Sequence, residues 1–518
     1  MSLASTAAPA ATVAWRRRGG LAVGTLLIST LTGVGSLLAQ VVVASLVGAD
    51  HAYEAYVIAL GVPTVLVLVW HSSLVNALVP SLARIESPAL RRVRRSQYVA
   101  GVSVAGACCA GVLALLAPTL IALQAPGFDA RTAELAVELT RIVAIGVAFD
   151  LSRGALVALH LDAGRPLWPQ AVTASFYPLW TGLVLAGYAS QGPRWLAATY
   201  AICHVCMWSA MVVSAVGRRL LTPRVRPELA RLADLARATA PVAVTLVATQ
   251  GTPFVDRAVA SLVPGPSVAL LTYGSRPADL FIRSIAAALG TAYLASLSRH
   301  AAAADGVQFA RLLRQVTRLI VLTAILACAV AIPFRAQLVG LLFVHGAFTP
   351  AAGREVADIL GWYAVWMLPQ SVFAILVTAC YGLGLLRPLL AVGLAALALS
   401  APLDVAATAM WGVAGVGRSA LVVSTLSVVA LAAVMARRLP RRAALLGPGW
   451  LLRAAAAGGL ALGTGLLLAG ATAARPPLVA IAGGGLGAGA VFAGMVAVLR
   501  LIELPDGPRP APSFEVGR

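Results

Sequence analysis

The stretch YGSRPADLFIRS (residues 273–284) decides the fold class, because it places charged side chains in the middle of an apolar run that extends over residues 259–297. Its charges are Arg276, Asp279 and Arg283. Their spacings of three and four residues put them on one face of a helix. A helix of about 20 apolar residues crosses the hydrocarbon core of a bilayer. The stretch therefore predicts a membrane helix that carries a polar face.

The composition of the whole chain predicts a polytopic membrane protein. Of its 518 residues, 60% are hydrophobic and 11% are charged, whereas soluble domains carry about 25% charged residues. Long apolar runs in lipid must satisfy their backbone hydrogen bonds internally, so we expect an all-α fold. The formal net charge of +20 does not indicate a nucleic-acid partner, because the apolar chain offers no folded basic face.

Fourteen apolar runs are long enough to span a bilayer. The arginine-rich loops between them all fall on the side of the N-terminus, which predicts that both termini are cytoplasmic. We therefore expect a multi-pass protein of a bacterial cytoplasmic membrane. The predicted spans are residues 21–47, 55–82, 98–124, 134–160, 167–190, 195–217, 238–262, 268–298, 313–334, 357–384, 388–410, 413–436, 449–471 and 477–500.

An internal repeat predicts that the spans form two similar lobes. ASLV at 44–47 is followed by SLAR at 81–84, and ASLV at 260–263 is followed by SLSR at 296–299. Both pairs run in the same orientation, as in transporters built from parallel repeats around a cavity. The predicted order is a disordered N-terminus (1–20), an N-lobe (21–220), a linker (221–237), a C-lobe of six helices (238–436), a C-terminal helix pair (437–500) and a cytoplasmic tail (501–518).

Charges inside the spans predict where the cavity lies, since an ion that faces lipid is costly. The charges of span 8 are joined by others in spans 2, 4 and 7. Arginines without an equal number of acids suit an anionic phosphate or diphosphate headgroup. The candidate substrate-binding residues are Arg276, Arg257, Arg283, Arg141, Arg153 and Glu54. The candidate ion-coupling residues, for a proton or sodium ion, are Asp256, Asp279 and Asp150.

Structural interpretations of some of these charges stay open. Asp150 and Arg153 are spaced to neutralise each other and to hold helices together. Arg257 and Glu54 lie near span ends, from which long side chains reach the membrane surface.

Enzyme chemistry finds no support in the sequence. There is no glycine-rich phosphate loop, nucleophile elbow or metal-ligand set. CHVC at 203–206 has a metal-like spacing but no second Cys/His pair, so we interpret the six cysteines as packing residues without disulfides. We expect neither a cofactor nor a metal.

The segment LVGLLFVHGAFTPAA (338–352) predicts a packed loop outside the membrane. Gly346 is expected to end a short helix, and Thr349 to cap a new one that begins at Pro350. His345 is interpreted as a surface residue of this loop.

Four segments resemble the MurJ/MviN family of lipid II flippases, in the multidrug/oligosaccharidyl-lipid/polysaccharide exporter superfamily. They are SLVGADHAYEAYVIALGVP (45–63), VDRAVASLVPGPSVALLTYGSR (255–276), ALGTAYLASLSRHAAAADGVQF (288–309) and LVGLLFVHGAFTPAA (338–352).

The resemblance implies a cavity between two six-helix lobes and a C-terminal helix pair with a groove for a lipid tail. The implied substrate is a lipid-linked peptidoglycan precursor with an anionic diphosphate headgroup. Arg276 matches the family's functional arginine in the eighth helix, and Glu54 matches an acid in the second. The implied partners are this precursor, membrane lipids, a coupling ion or the membrane potential, and cell-wall synthesis proteins.

Departures from the family's pattern keep two other functions open. No charge lies between Leu31 and Ala49, where the family's first helix carries arginines, and Gln40 stands where that helix has an acid. Residues 64–70 (TVLVLVW) lack the basic residues that follow the family's proline. The alternatives are an exporter of another lipid-linked oligosaccharide or amphiphile, and a scaffold for cell-wall proteins that transports nothing.

Overall fold

The computed structural model describes residues 8–222, 225, 229–302, 306–438 and 446–501. Within these residues the chain forms nineteen α-helices and no strand. The predicted all-α class is confirmed.

Nine helices form the N-terminal bundle. They are α1 (Ala8–Val47), α2 (His51–Ala59), α3 (Gly61–Ala83), α4 (Pro88–Leu115), α5 (Ala117–Gln124), α6 (Ala130–Asp162), α7 (Leu167–Ala174), α8 (Phe176–Gln191) and α9 (Pro193–Gly217). Helix α6 lies at the centre of this bundle, where it packs against α2, α3, α4, α5 and α9.

Eight helices form the C-terminal bundle, and a helix pair follows it. The bundle consists of α10 (Leu229–Gln250), α11 (Thr252–Ser261), α12 (Ser267–Ala302), α13 (Gly306–Ala331), α14 (Arg335–Leu342), α15 (Pro350–Gly382), α16 (Leu386–Trp411) and α17 (Ala414–Arg438), and the pair of α18 (Pro448–Ala471) and α19 (Pro477–Val498). Helix α15 is central and packs against α12, α13, α14, α16 and α17, while α18 and α19 pack on α13.

The membrane class is also confirmed. Among the described residues, eleven helical segments are long and apolar enough to cross a bilayer. Large apolar side chains on their outer faces are widely exposed, as for Leu115 (79%), Leu467 (78%) and Leu486 (76%), which is the surface that lipid tails cover. The three remaining predicted spans fall on α7–α8, α10–α11 and α12, so the count of fourteen stays a prediction.

Short turns reverse the chain direction between successive passes and define two faces. We call the face where α1 begins the terminal face, and the other the opposite face. The opposite face carries the turn at 48–50, the turn at 262–266 and the loop at 332–349. A continuous hydrophobic core runs across both bundles and includes Tyr53 and Tyr273.

Several boundaries differ from those predicted. Helix α1 begins at Ala8, so residues 8–20 are helical rather than disordered, and α10 begins at Leu229, inside the predicted linker. Residues 8–20 contain four alanines and three arginines, and residues 229–237 consist of leucine, alanine and arginine except for one aspartate; these residue types favour helices. The predicted tail lies almost entirely outside the described residues.

The loop before α15 was predicted in part. Thr349 caps α15, since its Oγ1 accepts a hydrogen bond from the Ala352 N–H at 3.2 Å. Helix α14 ends at Leu342, so Gly346 does not end it and lies instead in the following turn with φ +58°. Pro277 lies inside α12 without ending it.

Candidate functional site

A pair of buried carboxyls lies between α11 and α16. Asp256 is 9% exposed and Asp404 is fully buried, and the two side chains are within hydrogen-bonding reach of each other. The Ser419 hydroxyl of α17 donates to Asp404 Oδ1, while Asp404 Oδ2 is buried without a protein donor. Two carboxyls so close cannot both ionise at low cost, so the pair is suited to hold a proton or another cation.

Three arginines lie beside this carboxyl pair. Arg257 is next to Asp256 on α11, and it interacts electrostatically with Arg276 and Asp279 of α12. Arg283 lies one turn beyond Asp279 on α12 and interacts electrostatically with it. We call Asp256, Arg257, Arg276, Asp279, Arg283 and Asp404 the central charged site.

The central charged site holds three arginines and three aspartates, and a proton shared by two of the aspartates leaves one positive charge in excess. In the part of the chain that the structure describes, none of its three arginines forms a salt bridge. With one proton shared between Asp256 and Asp404, three guanidinium groups face two negative charges. Like charges on neighbouring helices repel each other unless an anion lies between them, so the arrangement is suited to bind one.

The structure places Glu54 elsewhere than the predicted headgroup cavity. Glu54 is 2% exposed, and its Oε1 accepts hydrogen bonds from the N–H groups of Val268 (2.7 Å) and Ala269 (3.4 Å) at the start of α12. A carboxylate at a helix N-terminus is stabilised by the helix dipole. Its Oε2 lies 2.9 Å from His51 Nδ1. Glu54 therefore joins the two bundles, and its expected role in substrate binding is not supported.

Further contacts join the bundles beside Glu54. The Tyr273 hydroxyl donates to the Gly48 carbonyl at 3.1 Å, and the Tyr273 ring stacks on Tyr53 at 4.6 Å. The Ala347 N–H donates to the Ser45 carbonyl at 2.9 Å. All of these contacts lie at the opposite face, and together they form what we call the opposite-face contact.

Gly127, in the turn before α6, and Ser261, at the end of α11, extend the opposite-face contact. The Gly127 N–H donates to Ser261 Oγ at 3.1 Å. A Cβ on Gly127 would lie 2.0 Å from the Ser261 carbonyl oxygen. The turn that carries Gly127 and the end of α11 therefore meet backbone to backbone.

A second group of polar side chains lies inside the N-terminal bundle. Arg153 donates to Asp150 Oδ1 from Nε (2.7 Å) and lies 2.5 Å from it through Nη2. Its Nη1 donates to Thr173 Oγ1 of α7 at 2.9 Å. His71 of α3 and His204 of α9 approach the same carboxylate. We call these five residues the N-bundle polar cluster.

Asp150 and Arg153 therefore pair with each other, which agrees with the structural interpretation of their spacing. The pair also belongs to a larger network, because it contacts side chains from three other helices.

Arg141 joins neither group. It is exposed on α6 and lines a groove of about 630 Å³ along α5, together with Glu134 and Glu138. Its expected role in substrate binding finds no support in this position. The remaining predicted residues fall into the two groups described above.

Sequence reasoning missed several members of these groups. Asp404 carried a usable signal, because it is a lone acid in an apolar span. His71 and His204 carried a weaker one, since single histidines are common in membrane helices. Ser419 and Thr173 carried none. Among the described residues, no group of three or more His, Cys, Asp or Glu side chains is arranged to hold a metal.

The chain is similar in sequence to known lipid-transport proteins. The family model described as "Lipid II flippase MurJ" matches residues 43–476. A curated protein of Synechocystis sp. named "Probable lipid II flippase MurJ" is 24% identical over 400 residues, which cover 70% of this chain and 71% of that protein.

Solved structures show the same fold. A structure of the lipid II flippase MurJ in an inward closed conformation aligns with a TM-score of 0.77 at 16% identity, covering 92% of this chain and 99% of that one. An inward-facing MATE transporter of the MOP superfamily aligns with a TM-score of 0.68 at 13% identity, covering 80% and 98%.

Proposed function

Because the chain belongs to the family of the lipid II flippase MurJ, whose model matches residues 43–476, we propose that it translocates a lipid-linked peptidoglycan precursor across the cytoplasmic membrane of a bacterium. The precursor is a polyprenyl-diphosphate lipid such as lipid II, and its transfer supplies cell-wall synthesis. The protein acts as a transporter and not as an enzyme.

The three arginines of the central charged site, which form no salt bridge among the described residues, are the observation that carries this proposal. Arg257 and Arg276 lie close enough to repel each other, and neither has a salt-bridge partner among the described residues. A diphosphate offers several pairs of oxygens, and a planar guanidinium group can bind such a pair through two parallel hydrogen bonds. Because the first helix lacks the family's arginines, the headgroup is held mainly by α11 and α12.

The opposite-face contact supports a transport cycle with alternating access. The distribution of arginines favours a cytoplasmic terminal face. In that orientation, the opposite-face contact seals the central charged site from the outside of the cell. In the proposed cycle, release of the precursor to the outer leaflet requires that this contact opens.

The carboxyl pair Asp256–Asp404 supports coupling to a proton or cation. An ion bound there changes the charge beside Arg257 and so changes the affinity of the site for an anion. Asp279, on the neighbouring helix, balances the same arginines. The chain carries no nucleotide-binding motif, so we assign the energy source to an ion gradient or the membrane potential.

Complementation tests this function. We expect the chain to restore growth of a bacterium depleted of its own lipid II flippase, and Arg276→Ala to fail. Loss of one charge-assisted hydrogen bond of about 2 kcal/mol lowers substrate affinity roughly 30-fold. Flipping of labelled lipid II in proteoliposomes gives the direct rate.

Arg335→Ala is the matched control, because the Arg335 side chain is partly exposed and pairs loosely, at 3.8 Å, with the exposed Asp358. Such surface pairs contribute little, so this variant is expected to complement like the parent chain. Equal rescue by Arg276→Ala at the same membrane level would show that the headgroup does not bind at α12.

A second candidate function is the export of another amphiphile, and the uncharged first helix favours it. With no charge between Leu31 and Ala49, the N-terminal side of the site is apolar and suits a less charged substrate. Failure of the parent chain to complement, although present in the membrane, would favour this candidate or a scaffold role.

A further inference from the structure

One oxygen atom in the N-bundle polar cluster is approached by three side chains that can carry positive charge. Asp150 Oδ1 accepts from Arg153, lies 3.4 Å from His204 Nδ1 and lies 3.7 Å from His71 Nε2. Asp150, Arg153 and His204 are 2%, 5% and 6% exposed. More cationic partners therefore surround this carboxylate than it needs.

The hydrogen positions of the two histidines differ. His71 Nε2 lies 2.8 Å from the Asp150 main-chain oxygen, which can only accept, so this nitrogen carries a hydrogen. His204 Nδ1 is buried and has no hydrogen-bond partner. The His204 ring is held by Tyr200 at 4.3 Å and Phe176 at 5.2 Å. Its free nitrogen therefore faces the carboxylate in a position where an added proton becomes a donor.

Whether His204 can bind that proton depends on the net charge of the buried groups around it. Asp150 and Arg153 neutralise each other, so an imidazolium beside them is an unbalanced buried charge, which is costly. The cost falls if Arg153 leaves the carboxylate. Proton binding by His204 and pairing of Arg153 with Asp150 therefore oppose each other.

The Arg153 guanidinium group has a second partner besides Asp150. Its Nη1 already donates to Thr173 Oγ1, and Thr173 is exposed on α7. The guanidinium thus reaches from the buried carboxylate to an exposed side chain, and a guanidinium group that leaves the carboxylate can bind a phosphate instead.

We propose that His204 is a proton-binding site, and that the proton replaces Arg153 as the counter-ion of Asp150 and frees Arg153 for a phosphate group at the Thr173 surface. One proton moves from solvent to His204 Nδ1, and one negative charge binds Arg153, so the buried charge is conserved. The phosphate part of this inference rests on the proposed function, whereas the proton site does not.

Few other titratable groups face His204 from the helices packed on α9. Helix α6 presents Asp150 and Arg153, and His71 of α3 also lies near the ring. Tyr200 of α9 itself lies beside the ring, with the ring centroids 4.3 Å apart. Tyr177 of α8 and Tyr56 of α2 lie near Tyr200, and Cys203 and Cys206 belong to α9.

The first experiment measures the proton site without any substrate. The chain has six histidines, whose ring signals can be followed by NMR of the labelled full-length protein as the pH changes, and His204→Gln assigns the signal. We expect the His204 midpoint to move up by about one pH unit in Arg153→Gln and down in Asp150→Asn. Equal midpoints in the parent and both variants, or no titration of His204, overturn the proposal.

The second experiment measures the coupling to an anion with undecaprenyl diphosphate as the probe. We expect the parent chain to bind it more tightly as the pH falls from 8 to 6, by up to about tenfold per unit for one linked proton. His204→Gln is expected to abolish this dependence. His345 is exposed, and its Nε2 lies 2.8 Å from the Leu341 carbonyl oxygen. His345→Gln is therefore the matched control, and it is expected to keep the pH dependence.

The two experiments separate the inference from the proposed function. If the parent chain does not bind the probe, the diphosphate function fails and the NMR titration still decides the proton site. If the parent binds the probe with the same affinity at every pH, the exchange between the proton and Arg153 is wrong.

Discussion

At the scale of the residue, the charges in the described structure fall into two kinds. Some have hydrogen-bond or salt-bridge partners in the protein, and others have no salt-bridge partner and can bind a ligand. Glu54 and Asp150 have two or more donors each, so they are stable as they stand. Arg276 and Arg257 have no salt bridge among the described residues. As the structure stands, Glu54 and Asp150 join helices, and in the proposed function Arg257 and Arg276 are the groups that bind the headgroup.

Glu54→Gln tests the residue that joins the bundles. Glutamine keeps a carbonyl oxygen for the Val268 N–H but removes the charge at the start of α12. Loss of a charge–dipole interaction of about 1 kcal/mol shifts the balance towards the open contact roughly fivefold. Distances between spin labels across the opposite face measure the two populations.

Glu86→Gln is the control for that charge change, because Glu86 is exposed in the loop after α3. Its label distances are expected to match those of the parent chain. If Glu54→Gln also matches the parent, the hydrogen bonds to α12 do not hold the contact closed.

At the scale of the element, broken helices bring the functional residues together. The second pass breaks at Leu60 between α2 and α3, and the seventh breaks at Gly251 between α10 and α11. Helix α11 thereby starts afresh at Thr252, with Pro253 in its first turn, and carries Asp256 and Arg257. Such breaks are tolerated in a membrane where protein rather than lipid surrounds them.

Gly346→Ala tests the loop that meets the end of α1. Gly346 has φ +58°, and a Cβ there would lie 2.2 Å from the Ser45 carbonyl oxygen. An alanine therefore suffers backbone strain of about 1–2 kcal/mol and also pushes the two bundles apart. We expect a lower unfolding temperature and a more open label distance at the opposite face.

Gly384→Ala separates these two effects. Gly384 also has a positive φ, +68°, but nothing lies within 4 Å of its Cβ position. This variant is expected to lose a similar amount of stability and to keep the label distance of the parent chain. An equal change of distance in both variants would mean that backbone strain alone explains the effect.

At the scale of the whole molecule, the described interbundle hydrogen bonds gather at one face. Both bundles are organised around a long central helix, α6 in one and α15 in the other. Each is thus suited to move as a unit, although α10 of the second bundle also packs on α3 and α4 of the first. In the proposed transport cycle the bundles separate at the opposite-face contact.

A disulfide across this contact tests that dependence. The Ala347 N–H and the Ser45 carbonyl are 2.9 Å apart, so Ser45→Cys with Ala347→Cys is expected to cross-link, in a background with the exposed Cys108 and Cys206 replaced by serine. The bond holds the contact closed, so we expect at least a tenfold loss of flipping in proteoliposomes, restored by a reductant.

A cross-link inside one bundle is the control. Gly35 of α1 and Tyr177 of α8 lie in the same bundle, and a Cβ on Gly35 would lie 3.3 Å from the Tyr177 Cβ, so cysteines at both positions are expected to cross-link helices of one bundle. This cross-link is expected to leave transport unchanged. Full activity of the cross-linked Ser45–Ala347 pair would show that the bundles need not separate at this face.

The sequence determined the class of the molecule. Apolar runs of about 20 residues admit only helices in lipid, and the charges of residues 273–284 marked one wall of the central charged site. The caps at Thr349 and Pro350 were predictable as well, because capping depends on residues three apart in the chain. These are local properties, so they need no knowledge of neighbouring helices.

Only the tertiary structure decided which charges meet. Asp256 and Asp404 are far apart in sequence, and Glu54 reaches the start of α12 more than 200 residues away. His204 of α9 was not recognised as a candidate because its partner, Asp150, lies on α6. The sequence does not show that these two helices pack together. The physical reason is that a carboxylate in lipid is stabilised by whichever donors packing brings to it, and packing of apolar helices follows from shape rather than from sequence spacing.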